Sequence, residues 1–367
     1  MAASAGRPPI ASPSMPAVLH VLPHPGGGAE TYIDLLEGLE GYRHKRVPLS
    51  TTRSRLRGIP SVLRRRQGII HLGRGADLVH VHGDMAAMLT APALRGRPLV
   101  ITSHGLHRMR RARGASAWLV HHRLRAAIEA SVRTICIAQD ERDDLASALP
   151  PSLQRRLVVV QNGVPMPALA GSARRAEARR SLGLEDEVAV LFAGQLEKRK
   201  DPLGAIAAVE AARARGTGVV LLIAGGGPLE GEVFARAGAG VRPLGHRNDL
   251  EDLYLAADLF LLPSHREGMS FALLEAMAHG LAPIVADGTG NVDTVGSAGV
   301  VFPAGDTAAM SELLAELAAE PEARARLGAA ARERIRAELN VERFLAGTRA
   351  QYEAALTEGA PGDSQGA

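Results

Sequence analysis

The stretch LFLLPSHREGMSFALLEAM, residues 259–277, decides the fold class. It opens on an apolar run, 259–263, that is too short for a helix and too uniformly apolar for a strand with one wet face. A polar loop follows. Phe271, Leu273, Leu274, Ala276 and Met277 then recur at helical spacing over 271–279, with Ser270 placed to cap the helix. A fully buried strand leading through a loop into a helix is the repeating unit of a parallel sheet.

The same unit recurs on either side. In the second half, 188–193, 219–224, 241–244, 282–286 and 300–302 read as further strands. Helical patterns lie at 202–215, 250–257 and 307–320, and two arginine-studded helices follow at 321–339 and 341–357. In the first half the strands are 17–22, 77–82, 98–103, 134–138 and 157–161, alternating with helical patterns at 31–39, 84–94, 116–130 and 139–149. Asn162-Gly163-Val164-Pro165 closes that half and 165–171 reads as a linker. The expected architecture is therefore α/β, with two doubly wound, Rossmann-like domains facing across a cleft, at 17–165 and 166–340. A helix at 341–358 would pack back on the first domain, and 1–16 and 359–367 are disordered by composition.

Composition agrees. Apolar residues make up 46% of the 367 residues but aromatics only 3%, so the cores rest on Ala, Leu, Val and Ile, and 40 glycines serve the turns. The single cysteine, Cys136, lies in an apolar run and reads as a buried, inert thiol. Residues 1–16 contain no apolar signal segment, and 219–229 is too short to span a bilayer, so a cytoplasmic protein is expected. The net charge of +4 hides an asymmetry: 23 Lys+Arg against 11 Asp+Glu in 1–165, and 20 against 28 in 166–367. Arginines concentrate at Arg53, Arg55, Arg57, Arg64, Arg65 and Arg66, and at Arg108, Arg110, Arg111 and Arg113. They are either a solvated surface or an attraction for an anionic acceptor or for anionic lipid at the inner membrane face. No aromatics interleave with them, so no nucleic-acid partner is expected.

Ligands of doubly wound sheets bind beyond the carboxyl ends of the strands. Several loops there carry candidates. Gly27 and Gly28 open the helix after the first strand, and Gly225 lies in the Gly225-Gly226-Gly227 loop; both loops could equally be tight strand–helix turns. Between Glu267 and Glu275, the backbone N–H groups of Gly268, Met269, Ser270 and Phe271 start a helix and favour an anion. Carboxylates do not bind phosphate but accept well from sugar hydroxyls. The ligand implied has phosphate in its middle and hydroxyls at both ends, which describes a nucleotide sugar. Lys198, Arg199 or Lys200 could reach the diphosphate, two of them being ordinary surface charges. His104 ends a first-half strand and could meet a sugar hydroxyl. His80 and His82 alternate along a strand and read as packing or capping it. The 13 histidines show no metal-ligand spacing and no Asp-x-Asp pair occurs, so neither metal nor cofactor is expected.

These residues resemble glycosyltransferase family 4, retaining enzymes of GT-B fold, over about 17–356. Glu267 to Glu275 is similar to the family's Glu-x7-Glu motif, within a similar "PS…EAMA-x-G". Gly27-Gly28-Ala29-Glu30 resembles its "GGxE" loop, Asn162-Gly163-Val164 its "NGV", and Asp306 lies in a "PAGD" like its "PGD". The resemblance implies that Glu275 binds the donor ribose and Glu267 the transferred sugar. It implies that Lys200 meets the diphosphate, His104 the reacting sugar, and Gly245 and His246 the base. The departing phosphate would help deprotonate a glycan, lipid-linked or small-molecule acceptor, with a UDP- or GDP-sugar as donor. Gln195 stands where the family has arginine, and Asp293 near where it often has glutamate. Two other readings remain: a catalytically weak nucleotide-sugar-binding scaffold, which Gln195 favours, and a sugar epimerase, for which Asp84 is the only acid directly after an early strand.

Overall fold

The computed structural model describes residues 15–50, 59–247, 249–288 and 290–359. Arg53, Arg55 and Arg57, the side chain of Arg108, Thr289, and nearly all of the segments read as disordered lie outside the described residues.

Two six-stranded sheets, parallel throughout, carry the fold. The first holds β1 (Ala17–Leu22), β2 (Arg43–Pro48), β3 (Leu78–His82), β4 (Leu99–Thr102), β5 (Arg133–Cys136) and β6 (Leu157–Val159), in the order β2-β1-β3-β4-β5-β6. The second holds β7 (Val188–Ala193), β8 (Val219–Ala224), β9 (Val241–Gly245), β10 (Leu259–Leu262), β11 (Ala282–Ala286) and β12 (Val300–Phe302), in the order β12-β11-β10-β7-β8-β9. Both orders reverse direction beside the first strand of their half, which opens a crevice there. Central strands are buried on both faces: Leu78, Val79 and Val81 in one sheet, and Leu221, Leu222 and Leu261 in the other, are 0% exposed. That burial is why these strands read as apolar runs, with His80 and His82 of β3 buried among them.

The structure adds a sixth strand to the five expected in the first half. β2, with the sequence RHKRVP, alternates exposed and half-buried residues over Arg43 to Arg46. It is an edge strand, where charge discourages pairing with another chain. The helices Ile59–Gly75 and Ser172–Ser181 were also absent from the sequence reading, because their outer faces carry runs of arginine.

Asn340 caps the final helix, Val341–Glu358, by accepting from the Arg343 N–H at 2.9 Å. The helix then crosses back to the first sheet. Its Phe344 ring meets Tyr32 edge-on at 4.8 Å, and its Tyr352 hydroxyl lies 2.7 Å from His80 Nδ1. We propose 17–165 and 166–340 as the two domains, with 341–358 as a strap between them.

Candidate active site between the two sheets

At the carboxyl end of β10 the chain turns through His265 to Ser270 into the helix Phe271–Ala278. Ser270 occupies the cap position in extended conformation, and its side chain makes no capping bond. The first-turn N–H groups therefore remain directed at whatever lies before the helix.

Glu267 is 7% exposed in this loop. The Lys200 Nζ lies 2.6 Å from its Oε1, and the Arg199 guanidinium donates to the same oxygen at 3.1 Å. Burial alone would push this carboxyl up, but Lys200 and Arg199 together hold it below its usual range, so it is ionised. Arg199 also donates to Glu197 and to the Arg266 carbonyl, which fixes its guanidinium in place. Lys198 is exposed. One of the three cations is thus a surface charge, not two as the sequence reading had it, and a pairing across 67 residues was invisible to spacing.

The other loops join the same rim. A Cβ on Gly194 would lie 3.9 Å from Lys200 Nζ, which puts the Gly194-Gln195 turn beside the cation pair. Gly225 crosses Gly194 so closely that a Cβ would stand 1.8 Å from the Gly194 carbonyl oxygen, and its φ of 150° also favours glycine. Its N–H donates to the Gly245 carbonyl at 2.7 Å, and His246 packs beside Gly226. Gly194, Gly225 and Gly245 therefore form one edge at the ends of β7, β8 and β9.

Glu275 has a different partner from those of Glu267. The Tyr254 hydroxyl donates to its Oε2 at 2.7 Å, and His279 stacks on Tyr254 with centroids 5.0 Å apart. Burial raises the Glu275 carboxyl, with Tyr254 opposing. Glu275 thus belongs with the helix Leu250–Ala256, which follows the Gly245-His246 loop.

The first lobe closes against this rim. A Cβ on Gly268 would sit 2.8 Å from Ile137 Cδ1, 3.1 Å from Glu141 Oε1 and 3.1 Å from Gly105 Cα. Gly28 approaches Phe271 at ordinary contact distance, and the Asn162 amide donates to the Met269 carbonyl at 3.0 Å. The Gly27-Gly28 loop, the His104-Gly105 turn and the Asn162-Gly163-Val164 segment therefore all reach the Glu267–Phe271 loop. His104 adopts φ 52° without being glycine, a backbone state that histidine tolerates better than most residues.

Glu141 is not among the candidates that the sequence offers. It is fully buried, accepts from Ser103 Oγ and from the Ile137 N–H at 3.1 Å, and leaves Oε1 without a partner against Gly268. Burial raises it to about 7, against the donations from Ser103 and Ile137. An acid in the first turn after β5 was the available signal, lost among the acids of Gln139–Ser147. Asp84 is buried at the start of its helix.

Residues 174–334 match the family described as Glycosyl transferases group 1, and residues 18–166 match Glycosyltransferase Family 4. The chain is 31% identical over 261 residues to the GDP-mannose:cellobiosyl-diphosphopolyprenol alpha-mannosyltransferase of Xanthomonas campestris, covering 65% of this chain and 63% of that protein. It is 32% identical to the D-inositol 3-phosphate glycosyltransferase of Xylanimonas cellulosilytica, covering 70% and 67%. The match thus spans about two thirds of these relatives' length, slightly less for the first. Among solved structures, Anabaena HepE in complex with UDP-glucose superposes with a TM-score of 0.77 at 16% identity, over 91% of this chain and 99% of that one. Sucrose-phosphate synthase from Thermosynechococcus elongatus gives 0.74 at 19%, over 94% and 100%. With both halves matched and both sheets in place, the chain belongs to glycosyltransferase family 4, the glycosyl transferases of group 1, and has the GT-B architecture.

Proposed function

We propose that the protein is a retaining hexosyltransferase that moves a sugar from a UDP- or GDP-type donor to a carbohydrate or lipid-linked acceptor. The observation that carries this reading is the Lys200–Glu267–Arg199 cluster at the open N-terminus of Phe271–Ala278. It offers two cations and a row of amides to a diphosphate, with an ionised carboxylate beside them for sugar hydroxyls. Lys200, beside the Gly194-Gln195 turn, offers a cation where Gln195 has none, which weighs against the scaffold reading.

The residues stabilise and position. Lys200 and the helix amides take up charge developing on the leaving diphosphate, Glu267 orients the sugar, and Glu275 holds the ribose diol. The leaving phosphate accepts the acceptor's proton on the face it departs from, so configuration is retained without a protein nucleophile. Two relatives support the donor classes: one is named for GDP-mannose, and HepE is solved with UDP-glucose. The first of these is named for a lipid-linked diphosphopolyprenol acceptor.

A panel of nucleotide sugars, followed by NMR of the anomeric product, tests the reading. Glu275→Ala should raise the donor KM and lower kcat/KM about a hundredfold or more; normal kinetics in that variant would remove the ribose assignment. We further propose a metal-independent reaction, so EDTA should leave turnover unchanged.

A further inference from the structure

Half-buried positions on the helix Phe271–Ala278 fall at Ala272 and Glu275, and His279 just past its end continues the same stripe; the positions between them are buried. Glu275 is the only charged residue of this helix, and it lies on that open stripe. Its Oε2 accepts from the Tyr254 hydroxyl at 2.7 Å. Tyr254 is 3% exposed and packs in the same core as Leu273, Leu274 and Met277. Burial and the adjoining Glu275 charge push its phenol well above the usual range, so it keeps its proton and donates.

A second ring backs the first. His279 Nδ1 lies 2.8 Å from the Glu275 carbonyl, which can only accept, so Nδ1 carries the proton. Burial lowers this imidazole, with the Glu275 carbonyl opposing, and the ring is neutral. Its face stacks on Tyr254 with centroids 5.0 Å apart and 25° between the planes. The backbone thus fixes the tautomer of His279, and the stack holds the tyrosine ring in place.

A carboxylate has two oxygens, each with room for two donors. In Glu275 one oxygen is turned to Tyr254, so the direction of the other follows from where that hydroxyl stands. A glutamate on a helix surface otherwise samples several rotamers, and ordering it when a ligand binds lowers affinity. Here the ordering has already occurred in folding.

We propose that Tyr254, backed by His279, is a positioning residue for nucleotide recognition. By holding Oε2 of Glu275 it presents the other oxygen to the 2′- and 3′-hydroxyls of the donor ribose, and so makes the site select ribonucleotides over 2′-deoxyribonucleotides. This rests on the reading that Glu275 binds the ribose. Uracil and guanine nucleotides share that diol, so the device is blind to the base. It acts on binding and not on the bond that breaks, so it lowers the donor KM without altering kcat.

Titration calorimetry of UDP, 2′-deoxy-UDP, GDP and 2′-deoxy-GDP tests this, with full-length wild type, Tyr254→Phe, Glu275→Ala and the double variant. For the nucleotide that wild type binds, Tyr254→Phe should weaken the ribose form about fivefold or more and the 2′-deoxy form within about twofold. In the Glu275→Ala background the same substitution should change nothing further. The donor KM of Tyr254→Phe should rise about as much as its affinity falls, with kcat within about twofold of wild type. Equal weakening of both forms, or full weakening in the Glu275→Ala background, would overturn the proposal, since either shows a loosened pocket and not an aimed carboxylate. If Tyr254→Phe does not fold, His279→Leu carries the comparison: the preference for the ribose form should fall about twofold or more, and an unchanged preference overturns the proposal. Wild type without preference for the ribose form, or without affinity for either nucleotide, removes the ribose reading and the proposal together. A weakened Glu275→Ala beside an unaffected Tyr254→Phe removes the proposal alone.

Discussion

Glu267 and Glu141 are two buried carboxyls on opposite sides of one glycine, with opposite electrostatics. Glu267 has two cations within 3.1 Å and stays ionised. Glu141 has only hydroxyl and amide donors at its Oε2, so burial wins and it titrates near 7. From pH 4.5 to 7 the unfolded chain releases a proton that native Glu141 keeps. The native state then binds more protons, and stability falls as pH rises, levelling off above about 7. Glu141→Gln should remove this slope. Urea denaturation should find the variant gaining on wild type between pH 5 and pH 8, by an amount on the order of 3 kcal/mol; parallel profiles would contradict the assignment. At this scale the sequence disclosed residue types and their loops. It did not disclose partnerships, because Lys200–Glu267 and Glu141–Gly268 are contacts between segments far apart in the chain.

Elements were the most legible level. β1, β7, β8, β11 and β12 begin and end where the apolar runs do; β7, β8 and β11, buried along nearly their whole length, admit no polar residue. β2 escaped because an edge strand has one wet side, and the short helices Glu230–Phe234 and Asn291–Val295 because five residues make too little periodicity. The loop before Phe271–Ala278 is the element on which the lobes meet, and glycine is required there by space. Gly268→Ala should force Ile137 or Glu141 aside at a cost of about 1–3 kcal/mol, or hold the lobes apart. Thermal denaturation combined with the donor KM checks this; a variant with wild-type values of both would show that the lobes do not close on this residue.

For the whole molecule, the charge asymmetry reads differently once it is placed in three dimensions. Arg110 is committed to Asp140 and Asp144 at 3.0 and 2.7 Å, and Arg66 to the Leu89 carbonyl, so part of the arginine-rich sequence is structural. Arg111 and Arg113 are exposed beside the helix Ala115–Ala130, whose Trp118 and Leu119 are 69% and 50% exposed. Among the described residues no helix is long and apolar enough to cross a membrane. We propose that this basic, Trp-bearing face meets anionic lipid peripherally. Vesicles rich in phosphatidylglycerol should retain the protein in flotation where phosphatidylcholine vesicles do not, and Trp118→Ala should weaken retention severalfold; equal binding to both lipids would contradict an electrostatic contact.

The claim underlying all of this is that Lys200, held by Glu267 against an open helix terminus, receives a diphosphate between the lobes. Titration calorimetry of UDP and GDP into wild type and Lys200→Ala measures it directly. One of the two nucleotides should bind wild type, with affinity falling about tenfold or more in the variant. Failure of both to bind, or equal affinity in the two proteins, would contradict it.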